Sequence, residues 1–510
     1  MQASAGIEPV PGPFGTTWWT SRRYFALLAV LAVIHMVQAA VLPLAGDEAY
    51  YWDISRRGDW SSFDQPLLAI WTMIPFRALL GETALAVRMP TVISSFLIGV
   101  FSLALIRRLG GSPGHAARTM LLLQATPLFF LGSAYASTDI AMIAAMTGAT
   151  VAAIAIAQGE HHGWWWFALA IGLGFVAKHP AILAVTGVGA ALAVSRRARR
   201  DLATPTPYLA AGFAAACTFP VWIWAVQHDF VNFTFQLAGR HAASGFTLAH
   251  VAELLGATAV LASPPLFVAL AVAWWRGWHR QDTAWIVTLV VAVTPLVFFG
   301  FVGLRTAVGG HWAAPGLVLG VAILALTPAI PRWLISLGVG FGLGIVALLF
   351  TLVLAAEPIV GARSGPLVTL GDRLARAYAP VVGNDEVVAE IGRRLRPGEL
   401  PAAESYTDVH LYAFLSRGKL PMHLAYVGGG KHGLDALYWH TPAALRGRDF
   451  LLVTERDDVG LKLDPLFATV ERDVDFAVVR GGRTLRVVHF FHCVDLRRPE
   501  GVFTRLADAP

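Results

Sequence analysis

Cysteine is almost absent from this sequence. The two cysteines, Cys217 and Cys493, lie far apart, one inside an apolar run and the other near the end of the chain. They can form neither a disulfide framework nor a C-x-x-C metal signature. A glycine-rich phosphate loop is also missing, because the segment Gly428-Gly429-Gly430-Lys431 lacks the required spacing and a following Ser or Thr. The missing phosphate loop disfavours a cytosolic nucleotide as the donor of a transferred group.

Charge is scarce as well. Only 14% of the 510 residues are charged, against about 25% in soluble domains. The deficit falls in the first ~355 residues, where apolar runs of about 17–25 residues recur, each long enough to cross a bilayer as a helix. We therefore predict a mainly α, polytopic membrane protein with about eleven transmembrane helices. The predicted helices span residues 24–44, 85–107, 116–134, 138–157, 163–177, 180–194, 207–227, 250–275, 284–303, 311–329 and 333–355.

The placement of the positive charge predicts an orientation. The formal charge is +6, but no basic run resembles a nucleic-acid-binding patch, so we expect membrane lipids and no nucleic acid as partners. Arginines are most numerous in the loops on the side of the N-terminus. The positive-inside rule then places the N-terminus in the cytoplasm and the loop at 45–84 outside. Residues 1–20 are predicted to be a disordered tail ahead of an uncleaved first helix in a module that spans 21–355.

The composition changes at about residue 356, where charge rises and apolar runs shorten. Asp385–Arg396 carries a helical apolar stripe, and Tyr406–Leu415 is predicted to be another helix. Three short segments read as strands: Phe450–Thr454, Val474–Val479 and Leu485–Phe491. Residues 356–510 are therefore predicted to form a small α/β domain outside the membrane.

The loop after the first helix carries the candidate chemistry. Asp47 and Glu48 directly follow a membrane helix, and a carboxylate fixed in this way can act as the base that takes a proton from an acceptor hydroxyl. Asp47 is our candidate base, and Glu48 would orient it or bind a cation. Tyr50 and Tyr51 could stack on sugar rings, and a further acid, Asp64, lies at a helix start beside Gln65.

Other charged residues are predicted at the same boundary. Asp139 lies in a tight turn between two membrane helices, where it could be a functional acid or simply an N-cap. Four basic or ionisable residues could stabilise the charge on a phosphate leaving group: Lys178, Arg240, Arg305 and His311. The same residues could instead contact phospholipid head groups. The sequence leaves open whether acids and histidine hold a divalent cation.

Several segments, taken in order, resemble the GT-C membrane glycosyltransferases, and most closely the bacterial branch that includes protein-mannosyltransferase-like and lipid A aminoarabinose-transferase-like enzymes. The segments that carry this likeness are Gly46–Trp52, Phe63–Pro66, Ala86–Pro90, Ser137–Asp139, Ala177–His179 and Gly310–Pro315. The likeness covers roughly residues 24–355. One departure concerns Gln65, where the family often has a basic residue, so the phosphate contact must come from elsewhere, such as Lys178 or Arg305.

The resemblance implies a polyprenyl-phosphate-linked sugar as donor and an inverting, single-displacement transfer. It implies Asp47 and Asp139 as the key acids, a basic group on the phosphate, and a multi-pass protein of the bacterial inner membrane. The acceptor would be a hydroxyl of lipid A or lipopolysaccharide, a glycan or a protein at the periplasmic face. The alternative is a transporter or flippase of a lipid-linked sugar, which would carry charges at mid-membrane on broken helices or inverted repeats.

Overall fold

The structure is a computed structural model that describes residues 20–235, 245–328, 330–425 and 433–501. The predicted tail therefore lies outside the described residues, apart from Thr20. Most of the first 355 residues form a helical bundle with one long loop. Its helices are α1 (Ser21–Val41), α2 (Gly46–Ile54), α3 (Leu68–Trp71), α4 (Met73–Leu80), α5 (Ala84–Arg108), α6 (Pro113–Gln124), α7 (Pro127–Gly132), α8 (Thr138–Gln158), α9 (His162–Ala177), α10 (Val185–Val194), α11 (Arg196–Asp201), α12 (Thr206–Cys217), α13 (Phe219–Gln227), α14 (Val231–Thr234), α15 (Ala249–Ala262), α16 (Pro264–Trp278), α17 (Thr283–Gly303), α18 (Ala314–Leu326) and α19 (Arg332–Leu354), with 3-10 turns at His179–Ala184 and Gly310–Ala313.

The apolar helices confirm a multi-pass membrane protein. Among the described residues, five helices are long and apolar enough to cross a bilayer, and two bent pairs bring the number to seven. Four shorter apolar stretches are also helical: Leu68–Leu80, His162–Ala177, His179–Val194 and Gly310–Leu326. Each of the eleven apolar segments predicted from the sequence contains helix. The predicted segment at 67–80 is also helical, as α3 and α4.

Bends distinguish the bundle from the straight helices that hydropathy predicts. The run at 250–275 is two helices that meet at 104° at Ser263, whose positive φ of 70° and the prolines that follow it end α15. The Ser263 hydroxyl donates to the carbonyl of Gly338 at 2.7 Å, which ties the break to α19. The run at 207–227 bends by 48° at Thr218. The run at 116–134 breaks before Thr126, which caps α7.

Apolar side chains on the outside of the bundle indicate its lipid face. In α1, Tyr24 and Leu28 are buried against the bundle, whereas Val30 and Val37 are each more than half exposed. The same one-sided packing holds for α19, where Leu337 and Leu348 are exposed and apolar. Helices that expose aliphatic side chains in this way match a hydrocarbon surrounding.

The two ends of the bundle differ in charge. One end, which we name the arginine end, gathers the termini of α5, α8 and α11. Arg108 binds Glu160 there through two nitrogens at 2.9 and 2.8 Å, and Arg197 donates to the carbonyl of Gln158. The opposite end, named the acidic end, holds the first turns of α2 and α8 with Asp47, Glu48 and Asp139. The loop at 45–84 and the C-terminal region pack at the acidic end.

The C-terminal region, residues 356–501, combines helices with one mixed sheet. Its helices are α20 (Ala356–Gly361), α21 (Leu367–Tyr378), α22 (Asn384–Arg394), α23 (Tyr406–Leu415), α24 (Pro442–Leu445) and α25 (Val459–Leu463), with 3-10 turns at Leu434–Tyr438 and Pro499–Gly501. Its strands are β1 (Leu400–Ala403), β2 (His423–Leu424), β3 (Phe450–Thr454), β4 (Phe467–Arg472), β5 (Phe476–Arg480) and β6 (Arg483–Leu496). The strand order is β2-β1-β3-β6-β4, and β5 also pairs with β6. Strands β1, β2 and β3 are parallel, and the pairs with β6 are antiparallel.

A shared apolar core joins this region to the loop. Trp52 of α2 and Phe63 of the loop are buried in one cluster with Val409 and Tyr412 of α23. The Trp52 ring meets Phe414 edge to face, with centroids 5.2 Å apart. Burial of large aromatic side chains supplies most of the stabilising free energy of such contacts. The loop is therefore held between the bundle and the C-terminal region.

Candidate active site

Asp47 lies in the first turn of α2, immediately after the chain leaves α1. Its side chain is exposed at the acidic end. The hydroxyl of Tyr406, from α23, donates to Oδ1 at 2.6 Å, and the hydroxyl of Tyr135 lies 3.5 Å from Oδ2. The candidate base is thus accessible and at the same time held by a side chain from the C-terminal region.

Glu48 points the other way and is fully buried. Its carboxylate accepts from Nε and Nη2 of Arg88 at 2.7 and 2.5 Å, from the backbone N–H of Ala136 at 2.7 Å and from that of Ala45 at 3.0 Å. Arg88 also donates to the carbonyls of residues 39, 42 and 43 at the end of α1. The structure thus gives Glu48 an anchoring role: it fixes the turn that presents Asp47. Both of its oxygens are already engaged by donors, so the geometry does not favour the cation-binding role suggested by the sequence.

Asp139 lies in the first turn of α8, but it is not the N-cap. The N-cap position belongs to Ser137, which corrects the capping alternative for this acid. The Asp139 carboxylate instead pairs with Nζ of Lys178 at 2.7 Å, in a site where both side chains are mostly buried. His311 lies within electrostatic reach of both groups. The structure therefore brings together three of the predicted residues: Asp139, Lys178 and His311.

Tyr51 connects this group to Asp47. Burial raises the pKa of the Tyr51 phenol well above its usual value, and the negative charges of Asp139 and Asp47 raise it further. A phenol whose pKa responds to both carboxylates lies within electrostatic reach of each of them. Asp47 and Asp139 are therefore both near Tyr51 at the acidic end.

Tyr50 and Asp64 have a different placement. Both are buried, and the Tyr50 hydroxyl donates to Oδ2 of Asp64 at 2.7 Å. Tyr50 thus contributes to packing and offers no open ring face for stacking a sugar. Gln65 is half-buried in the same turn, where its backbone N–H donates to Ser62.

A reciprocal pair of hydrogen bonds fastens the loop to the C-terminal region. The backbone N–H of Leu434 donates to Asp64 at 3.0 Å, and the N–H of Phe63 donates to Asp435 at 2.7 Å. Each carboxylate thus accepts from the residue that precedes the other. The indole N–H of Trp439 also donates to Asp435, at 2.9 Å. Two buried acids therefore lie face to face at this junction.

We expect this junction to weaken as the pH rises. Burial, countered by bonds from Phe63 and Trp439 and reinforced by the charge of Asp64, raises the pKa of Asp435 to about 7. In the unfolded chain the Asp435 side chain has a pKa of about 3.9 and loses its proton first as the pH rises. The free energy of unfolding therefore falls by up to about 4 kcal/mol as the pH rises from about 3.9 to about 7. Measured in detergent from pH 4.5 to 8, the unfolding temperature of the wild type should fall more steeply with rising pH than that of Asp435→Asn. The exposed control Asp464→Asn should keep the wild-type slope. A slope unchanged in Asp435→Asn would contradict the prediction.

A second buried pair lies further along α2. Nδ1 of His410, in α23, is 3.0 Å from Oδ2 of Asp53, and Arg56 and Arg57 flank the same carboxylate. Burial alone would raise the pKa of Asp53, but the hydrogen bond and charge of His410, followed by the arginine charges, hold it below its usual value. This pair reinforces the contact between α2 and α23.

Arg305 is a further predicted cation among the described residues. Arg305 is exposed in the short segment between α17 and the 3-10 turn that carries His311. Arg240 lies outside the described residues. Among residues 20–235, 245–328, 330–425 and 433–501, no group of three His, Cys, Asp or Glu side chains is arranged to hold a metal ion.

Sequence reasoning missed several residues that shape this site. Arg88 stood in a family-like segment without a role, and Tyr406 began a predicted helix without a link to Asp47. Tyr135, His410 and Asp435 had no distinguishing local signal. A buried arginine inside an apolar helix was the one available clue, because such a charge requires a partner.

The architecture is that of the GT-C membrane glycosyltransferases, which confirms the resemblance found in the sequence. The solved structure of ArnT from Cupriavidus metallidurans bound to undecaprenyl phosphate matches with a TM-score of 0.63 and 17% identity, over 92% of this chain and 98% of that one. AglB from Archaeoglobus fulgidus, in complex with an inhibitory peptide and a dolichol-phosphate, matches with a TM-score of 0.50 and 10% identity, over 87% of this chain and 71% of that one.

A third similar structure is the arabinofuranosyltransferase AftD from Mycobacteria, with a TM-score of 0.50 and 15% identity, over 93% of this chain and 40% of that one. In sequence, a family model described as dolichyl-phosphate-mannose-protein mannosyltransferase matches residues 64–224. No curated protein matches the chain. The sequence match begins with Asp64 and includes Arg88, Asp139 and Lys178.

Proposed function

We propose that this protein is a glycosyltransferase that moves a sugar from a polyprenyl-phosphate donor to a hydroxyl of an envelope acceptor. The observation that carries the proposal is the accessible carboxylate of Asp47, held by Tyr406 beside the Asp139–Lys178 pair at one end of a membrane bundle. Fold and family similarity support a glycosyltransferase in general. The donor, the acceptor and the stereochemistry of the reaction are parts of our proposal that this similarity does not supply.

The proposed reaction is a single displacement. An oxygen of Asp47 takes the proton of the acceptor hydroxyl while that hydroxyl oxygen attacks the anomeric carbon. The bond between the anomeric carbon and the phosphate oxygen breaks, and the polyprenyl phosphate leaves with the electron pair. Attack opposite the leaving group inverts the anomeric centre. One carboxylate therefore suffices as base, and no covalent sugar–enzyme intermediate forms.

The leaving phosphate needs positive charge near the lipid boundary. Lys178 and His311 lie together at the acidic end, and Arg305 belongs to the same short connection as His311. We propose that these residues, with Arg240, stabilise the phosphate as it departs. Asp139 would then hold Lys178 in place. The ArnT structure contains undecaprenyl phosphate, which makes this lipid the natural probe for the site.

We further propose that the acidic end faces the periplasm of a bacterial inner membrane, with residues 21–355 as the catalytic module and 356–510 as an external domain. The arginine end would then be cytoplasmic. A lipid-linked sugar transporter fits the charge distribution less well, since its charged site would lie near the membrane midplane. The acids described above instead lie at helix ends.

Mass spectrometry of envelope lipids and glycans can test the proposal. Cells that lack the gene should lose one glycosylated species, with a mass change of one sugar, and the wild-type gene should restore it. The unglycosylated acceptor should accumulate in its place. An unchanged envelope profile would contradict a transferase. A lipid-linked sugar that accumulates on the cytoplasmic side only would instead favour a flippase.

A further inference from the structure

The C-terminal region contributes a side chain directly to the candidate catalytic centre. Tyr406 is the first residue of α23, and its hydroxyl donates to Oδ1 of Asp47 at 2.6 Å, across 359 positions of sequence. A hydrogen bond to a carboxylate of this length is among the stronger ones in proteins. It fixes Oδ1 of Asp47, whereas Oδ2 has the longer contact with the Tyr135 hydroxyl.

Close backbone packing sets this contact. Gly46, next to Asp47, has no room for a Cβ, which would lie 2.5 Å from Cβ of Thr407, the neighbour of Tyr406. Gly433, with a φ of +68°, abuts the Tyr406 ring so closely that a Cβ would lie 2.0 Å from it. Tyr50 meets the same ring edge to face, with centroids 6.0 Å apart. Two glycines and an aromatic contact therefore hold the phenol against Asp47.

We propose that Tyr406 is a positioning residue for Asp47 and that the C-terminal region completes the catalytic centre through it. The inference rests on the proposed function of Asp47 as base. A carboxylate on the first turn of a helix can rotate about its side-chain bonds, and the phenol selects one rotamer. In that rotamer Oδ2 faces the Tyr135 hydroxyl, 3.5 Å away, and in our proposal it is the oxygen that takes the proton of the acceptor hydroxyl.

The geometry distinguishes positioning from packing. Tyr412 lies on the same helix and is fully buried, but it belongs to the apolar core with Trp52. Loss of its hydroxyl should affect the stability of the region and not the orientation of Asp47. Tyr406→Phe and Tyr412→Phe are therefore a matched pair: each removes one hydroxyl from α23, but only the first removes a bond to the candidate base.

The test uses the full-length protein in membranes and in detergent. Transfer is followed as the rate at which the glycosylated envelope species appears, per amount of folded protein. Binding of undecaprenyl phosphate and thermal unfolding are measured on the same purified variants. Tyr406→Phe should lower the transfer rate about 10- to 100-fold, the range expected for one bond to a charged group, while lipid binding and the unfolding temperature stay at wild-type values. Tyr412→Phe should keep the transfer rate.

The outcomes separate this inference from the function on which it rests. If Asp47→Asn abolishes transfer and Tyr406→Phe leaves it unchanged, the positioning role is refuted and the base assignment stands. If Asp47→Asn retains transfer, the base assignment itself is refuted. If Tyr406→Phe lowers transfer only in proportion to a loss of folded protein or of lipid binding, the residue is structural and the proposal is overturned.

Discussion

Replacement of Asp47 by asparagine should abolish sugar transfer while the protein stays folded in the membrane. Asparagine has nearly the same shape and can still accept a hydrogen bond from Tyr406, but its amide cannot take a proton from an acceptor. Loss of a general base typically lowers a rate by about 10²- to 10⁴-fold. Because Asp47 is exposed and asparagine still accepts the Tyr406 bond, the replacement should lower the free energy of unfolding by no more than about 1 kcal/mol, the difference between a charged and a neutral acceptor.

The measurement is the glycosylated envelope species in cells that express each variant at equal levels, with unfolding temperatures from purified protein. Asp59→Asn is a suitable control, because Asp59 is an exposed acid on the same loop to which we assign no catalytic role. It should transfer sugar at the wild-type rate. Full activity in Asp47→Asn would remove Asp47 as the base and leave the site without its central group.

Glu48→Gln should have the largest effect on stability. The change removes the negative charge that neutralises Arg88, and the guanidinium cannot reach water because its side chain is only 3% exposed. An uncompensated buried charge costs about 3–5 kcal/mol. Since Arg88 also ties α5 to the end of α1, the first turn of α2 should lose its fixed position. Transfer should fall along with stability, in contrast to the behaviour of Asp47→Asn.

Glu160→Gln provides the comparison. Glu160 also forms a two-nitrogen pair with Arg108, at the arginine end, but both of these side chains are partly exposed. Water can solvate the arginine after the change, so the loss should stay below about 1 kcal/mol. The measurement is the fall in unfolding temperature of Glu48→Gln and of Glu160→Gln, each relative to the wild type in the same detergent. Equal losses would show that burial of the Glu48–Arg88 pair does not govern its contribution.

Local signals in the sequence were sufficient for much of the fold. Membrane helices were predictable because hydrophobic length alone determines them, and β3 was predicted with its observed bounds. The bend at Ser263 was not, because an apolar run carries no information about the direction in which the next helix packs. Strand β1 was missed because four residues that include a proline give no alternating pattern.

The same distinction between local signals and tertiary packing applies to the candidate site. Asp47 and Asp139 could be found because each directly follows a membrane boundary in the chain. Their partners could not, since Tyr406 and Asp435 reach the loop only through tertiary packing. The role of Glu48 also depended on the fold: an acid beside the candidate base gives no sign in sequence that Arg88, 40 positions later, neutralises it.

The long sequence separation between α2 and α23 has a consequence for biosynthesis. The loop that carries Asp47 leaves the ribosome long before the helix that carries Tyr406. Nascent chains generally fold from their N-terminal side as they are made, so the bundle can insert while the active centre is still incomplete. Competence for catalysis would then arise in a late assembly step, after translation has passed α23, and a ribosome-stalled intermediate would be membrane-inserted yet inactive.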